Sequence, residues 1–166
     1  MDIDSEKKRT QDLIDKADHD NLTRLYNKSA SRQYIEQLME RSGQSGLSAL
    51  LILDLDNFKL INDTRGHMFG DAVLMEVATQ LKSLFRKDDI VSRIGGDEFL
   101  VYMNNLPNKN LLVDRVQRLV SGVHGILPDD LRDCPLSCSV GVACFPEHAD
   151  NFHELFQCCD RALYKA

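Results

Sequence analysis

The stretch Leu47-Ser48-Ala49-Leu50-Leu51-Ile52-Leu53-Asp54-Leu55-Asp56 organises the rest of the chain. Apolar residues run almost unbroken over 47–55, without the period of a surface helix or the alternation of a half-exposed strand. A run this short fits a strand buried on both faces. Asp54 and Asp56 stand at its carboxyl end, and alternation puts both on one face.

Downstream, apolar residues recur at Val73, Leu74, Val77, Ala78, Leu81, Leu84 and Phe85. That spacing predicts a helix over 71–85 with Asp71 in its first turn. Segments 90–94 and 99–103 flank Gly95-Gly96 and read as a hairpin. A second amphipathic helix is expected over 111–123, a last strand over 135–145 and a last helix over 152–166. Upstream, Tyr34, Ile35 and Leu38 mark a helix over 31–41, ended by Ser42-Gly43-Gln44-Ser45-Gly46. Residues 18–27 are turn-rich. Residues 4–17 are polar, with Leu13, Ile14 and Ala17 the sparse apolar positions of an exposed or self-associating helix. The order strand, helix, strand, strand, helix, strand predicts an α+β ferredoxin-like αβ sandwich, a central antiparallel sheet with helices on one face.

The chain has 166 residues, the size of one ordinary domain, and shows no internal repeat or low-complexity tract. Its net charge of -6 argues against a nucleic-acid partner, which would favour a basic face. A mononucleotide is not excluded, since one phosphate site needs only a few local donors. The five cysteines (Cys134, Cys138, Cys144, Cys158 and Cys159) form no Cys-x-x-Cys pair. Reduced thiols in a cytoplasmic setting are expected, several acting as small core hydrophobes. No apolar run reaches the ~20 residues of a membrane span, and the N-terminus has no signal-peptide core.

Three clusters carry chemistry. Asp54-Leu55-Asp56-Asn57-Phe58-Lys59 places two carboxylates and a lysine where strand gives way to loop. The carboxylates suit a hard divalent cation and Lys59 a phosphate, although strand ends are commonly polar for no further reason. Asn62 and Asp71 flank Gly66-His67-Met68-Phe69-Gly70. A carboxylate can accept both edge donors of guanine and an amide can complete the contact. The same residues also serve turns and helix starts, and His67 reads as a loop-packing residue. Gly95-Gly96-Asp97-Glu98-Phe99 is the most informative stretch. Two glycines let backbone approach a ligand, while a second acid followed by an aromatic exceeds what a turn needs. Arg86-Lys87-Asp88-Asp89, read alone, is a basic helix end.

Together these clusters resemble the GGDEF family of diguanylate cyclases from about Asp18 to the last residue. The signature Gly95-Gly96-Asp97-Glu98-Phe99 is intact. Asp20-Asn21-Leu22-Thr23-Arg24-Leu25-Tyr26-Asn27-Lys28 is similar to an upstream family element, with Lys28 in place of arginine. The run from Asp54 to Asp63, Gly66 to Asp71, Ser139-Val140-Gly141-Val142-Ala143 and Asp160-Arg161-Ala162-Leu163-Tyr164 follow in order and spacing.

The resemblance implies a palm-like, nucleotidyl-cyclase-type sheet and the condensation of two GTP into cyclic di-GMP and pyrophosphate. It implies two divalent ions per site, Mg2+ or Mn2+, held by Asp54, Asp97 and the Leu55 carbonyl. Glu98 becomes a metal ligand or the base for the attacking hydroxyl. Asn62 and Asp71 become guanine readers, and the Phe58 amide, Lys59, Gly95 and Gly96 a phosphate cradle. Arg86 and Asp89 fall at the family's product-inhibition site. A homodimer is implied, because each GTP is attacked by the other's 3′-hydroxyl. Residues 1–17 resemble a signalling helix that joins an upstream sensor to a domain over 18–166. The expected location is cytoplasmic, including the cytoplasmic part of a membrane-attached sensor. The family's closing element continues with a lysine and Gly-Arg-Asn beyond the position of Ala166, so a trimmed C-terminus is expected. The competing readings are a non-catalytic GTP or cyclic di-GMP receptor and, less suited to the charge and size, a template-using polymerase.

Overall fold

The structure is a computed structural model that describes residues 2–43, 45–127 and 135–165. Gln44 of the expected breaker, Cys134 and Ala166 lie outside the described residues. The elements run α1 (Ile3–Asp18), α2 (Lys28–Ser42), β1 (Leu47–Asp56), α3 (Phe58–Arg65), α4 (His67–Leu84), β2 (Ile90–Arg93), β3 (Glu98–Leu106), α5 (Lys109–His124), β4 (Ser137–Phe145) and α6 (Phe152–Tyr164). The strands form one sheet in the order β2-β3-β1-β4, with every neighbouring pair antiparallel. The expected α+β sandwich with an antiparallel sheet is present.

Helices cover both faces of the sheet, where one covered face was expected. On β1, Ala49, Leu51, Leu53 and Leu55 pack with Val73, Leu74, Val77 and Leu81 of α4 and Leu119 and Val123 of α5. Leu50 and Ile52 point the other way, onto Ile35 and Met39 of α2 and Leu155 and Cys159 of α6. The physical reason lies in β1. A strand apolar at successive positions exposes one side chain set to water unless both faces are roofed, and each fully buried Leu or Ile contributes about 1.5–3 kcal/mol.

Two smaller differences affect the site. Residues 58–65 form α3, which was not expected as a helix. Helix α4 starts at His67, so Asp71 lies in its second turn. Gly66, at φ 89°, separates the two helices and serves both as C-cap and as N-cap.

Gly141 on β4 fixes the opposite side. A Cβ there would meet the Leu163 nitrogen at 2.5 Å and the Cys159 carbonyl oxygen, so α6 lies with its backbone directly against the strand. Cys159 donates its thiol to the Leu50 and Gly141 carbonyls at 3.2 and 3.0 Å. Burial pushes the Cys138 and Cys159 thiols up to about 12, in keeping with thiols used as small hydrophobes. Helix α1 buries no residue, and Ile3 and Leu13 are largely exposed. Among the described residues no helix is long and apolar enough to cross a membrane.

Candidate active site

The end of β1 and the start of β3 bring the acids together. Asp54 pairs across the sheet with Glu98 on one side and with Ser139 on the other. The Leu55 amide donates to the Asp97 carbonyl at 3.1 Å, so the Gly95–Asp97 turn is closed onto the buried Leu55. Burial first, then the negative charges of Asp97, Glu98 and Asp56, push the Asp54 carboxyl up to about 6. Such crowding is unfavourable for the folded chain alone and suits a bound cation. Among the described residues no three acid, histidine or cysteine side chains converge into a complete cation cage. Carboxylates beside a backbone carbonyl are donors of the kind magnesium takes, which uses one or two carboxylates and completes its shell from carbonyls, water and substrate phosphates.

Asp54 and Asp56 share a face, as alternation required, yet they are used differently. Both oxygens of Asp56 accept hydroxyl hydrogen bonds at 2.9 Å, one from Ser137 and one from Ser139. Asp54 is left to the acidic row with Glu98.

The Gly95-Gly96 turn takes no positive φ angle. At Gly95 glycine serves by its small size. A Cβ on Gly95 would reach the Glu98 carboxylate at 3.3 Å, whereas the space beside Gly96 is open. The turn is held from behind by Arg93, which donates to the Gly95 carbonyl at 3.1 Å and to the Gly96 carbonyl at 2.8 Å. The same guanidinium forms an ion pair with Asp20 at 3.2 Å. Asp20 also accepts from the Thr23 amide and hydroxyl, each at 2.8 Å. Those donors and Arg93 hold its carboxyl below the usual range against the opposing effect of burial. Sequence reasoning missed Arg93 as a support of this turn. Its signal was an arginine two residues before two glycines.

Gly66 lets α3 turn back onto the start of α4, which brings Asn62 of α3 against Gly70, the residue before Asp71. A Cβ at Gly70 would collide with the Asn62 amide oxygen and stand 2.9 Å from its Cγ. The Asn62 Oδ1 is buried and has no hydrogen-bond partner, an orphan acceptor that a ligand donor would satisfy. Asp71, the residue after Gly70, is exposed. Phe58 anchors α3 by packing onto the core, and Lys59 is exposed at the start of that helix.

Arg86 and Asp89 sit apart, before β2, while the Gly95-Gly96 turn follows it. The four-residue strand separates them by about 13 Å. Asp89 accepts from the Arg86 amide at 2.9 Å, the Asn104 amide at 3.0 Å and the Arg86 guanidinium at 3.3 Å. Its side chain is 1% exposed against 43% for Arg86. Arg86 also donates to the Asn104 carbonyl at 2.6 Å. Beside it a cleft of about 330 Å³ is lined by His19, Arg24, Tyr26, Lys82 and Lys87.

Comparison with known proteins identifies the family. Residues 17–166 match the diguanylate cyclase GGDEF domain. The chain belongs to this family. It is 38% identical over 159 residues to the diguanylate cyclase DgcN of Escherichia coli, covering 93% of this chain and 38% of DgcN. It is 33% identical over 165 residues to the cyclic di-GMP phosphodiesterase PdeR of the same organism, covering 99% of this chain and 25% of PdeR. Among solved structures, the isolated GGDEF domain of TpbB from Pseudomonas aeruginosa superposes with a TM-score of 0.81 at 32% identity. That match covers 89% of this chain and 87% of the other. The GGDEF chain thus spans about a quarter to two fifths of these two curated relatives.

Proposed function

We propose that this domain is a diguanylate cyclase that condenses two GTP into cyclic di-GMP and two pyrophosphates, working as a face-to-face homodimer. The observation that carries the reading is the row formed by Glu98 and Asp54 across the sheet, closed by Asp97 through the Leu55 amide.

Each domain holds one GTP. Asn62 and Asp71 receive the guanine edge, the orphaned Asn62 oxygen accepting a base N–H. The Phe58 amide, Lys59 and the Gly95-Gly96 turn hold the phosphates. Asp54, Asp97 and the Leu55 carbonyl would hold two Mg2+ or Mn2+ ions, which neutralise phosphate charge and acidify a hydroxyl when bound. Glu98 takes the proton of a 3′-hydroxyl, as a base or through a shared ligand position. The freed oxygen bonds to the α-phosphorus of the GTP on the opposite protomer, and the bond to the bridging oxygen breaks with departure of pyrophosphate. A second such step closes the ring. Most of the acceleration comes from positioning and charge stabilisation. Arg86, with Asp89 fixing its backbone, faces the cleft where product binding would inhibit. A domain fed by GTP works on the cytoplasmic side, under an upstream sensor joined through residues 1–17.

The test is to incubate the chain with GTP and magnesium and to separate the nucleotides. Cyclic di-GMP appearing at a rate that rises steeply with protein concentration supports a dimeric cyclase. Tight nucleotide binding without product favours a receptor domain, a reading encouraged by the similarity to PdeR, whose name denotes a phosphodiesterase.

A further inference from the structure

One polar cluster is not used by the reaction just described. Asp56, Ser137 and Ser139 lie at the end of the β1–β4 pair, with Ser137 directly opposite Asp56 and Ser139 opposite Asp54. In the middle of this face the paired positions of the two strands are Leu50 with Ala143 and Ile52 with Gly141, which is what an apolar roof requires. Where β1 ends, the β4 positions carry hydroxyls instead. Both are spent on one carboxylate, at 2.9 Å each, so the plane of Asp56 is set by the edge strand.

The chain leaves Asp56 through Asn57, which adopts the left-handed conformation (φ 63°, ψ 17°) and places no side-chain cap on α3. Its amide instead reaches back to the Pro135 carbonyl at 3.5 Å, again at the start of β4. The start of α3 is thus linked to β4 through Asp56 and Asn57. A left-handed asparagine persists where its surroundings over-determine it.

We propose that Ser137 and Ser139 are positioning residues for the triphosphate. Acting through Asp56, they aim the β1–α3 turn so that the Phe58 amide and Lys59 meet the phosphates. The inference rests on the nucleotide site proposed above, and it predicts a loss confined to the phosphate half of the ligand. Asn62 lies in the second turn of α3 and Asp71 on α4, further from the strap, and Asn62 is seated against Gly70 of α4.

The experiment is calorimetric titration of the chain with GTP and with guanosine, both in magnesium buffer. For the double variant S137A/S139A, GTP affinity should fall on the order of tenfold, with guanosine affinity unchanged within about twofold. The hydroxyl-retaining variant S137T/S139T should restore GTP affinity, which a general packing role for small residues would not produce. Circular dichroism checks each fold, and the single variant S139A supplies a milder case if the double variant does not fold. An equal loss for GTP and guanosine, or no loss for either, overturns the strap while leaving the nucleotide site standing. Failure of the unaltered chain to bind GTP overturns the nucleotide site, and the strap's role falls with it.

Discussion

Asp54 and Asp89 are both acids removed from water, and they stand at opposite ends of the β2–β3 hairpin region in opposite circumstances. Asp89 is almost fully buried and satisfied, accepting from two backbone amides and a guanidinium. Asp54 is less buried and faces Asp97, Glu98 and Asp56, so its carboxyl is pushed up to about 6. A buried acid surrounded by donors holds a fold together, and an acid surrounded by acids is held by the fold for something else. Burial alone does not distinguish the two; the sign of the neighbours does.

The comparison can be broken most forcefully at the acidic end. Glu98→Ala should lower cyclic di-GMP synthesis by about 10²–10⁴-fold with an unchanged circular dichroism spectrum. Retained turnover would remove Glu98 from the chemistry. At the other end, Asp89→Ala should cost about 1–3 kcal/mol in urea unfolding, because two amides and a guanidinium lose their acceptor. A neutral outcome would show that water replaces the carboxylate and that Asp89 is no structural anchor.

The contrast sharpens with Asp54→Asn, which should abolish synthesis and yet raise stability by about 0.5–2 kcal/mol. The folded pKa near 6 lies above the unfolded value of 3.8, so the folded state keeps the proton more firmly. The penalty from ionised Asp54 is absent below pH 4, grows between pH 4 and 6, and is complete above that. Stabilisation by the variant should therefore be larger at pH 7 than at pH 4.5, and equal gains at both would refute the crowding. The smallest stability effect is expected for Arg86→Ala, under about 1 kcal/mol given its exposure. Its effect belongs in the inhibition curve: added cyclic di-GMP should no longer slow the variant, with the initial rate unchanged. Unaltered inhibition would leave Arg86 as a helix-end residue tying Asn104.

Much of this was legible from residues alone. The unbroken apolar run of β1 announced a strand roofed on both faces, and helices on one face did not follow from it. Gly95-Gly96-Asp97-Glu98 announced an acidic turn whatever its use. Less legible was α3, because Phe58–Arg65 is too short and too polar for a periodicity to stand out. The seating of Asn62 against Gly70 depended on the turn at Gly66 and on the clearance at Gly70, neither of which spacing reveals.

The sequence by itself determined which residues are apolar in which period, where glycine permits a turn, and that four acids gather near two strand ends. Those properties are local and travel with the residue types. Only the tertiary structure decided which acid meets which neighbour. Asp54 and Asp56 are chemically identical and two residues apart; strand pairing sets the first between Glu98 and Ser139 and the second opposite Ser137, and both serine hydroxyls turn to the second. Charge, burial and hydrogen bonding act over a few ångströms between residues distant in the chain, so their outcome is set by register and packing.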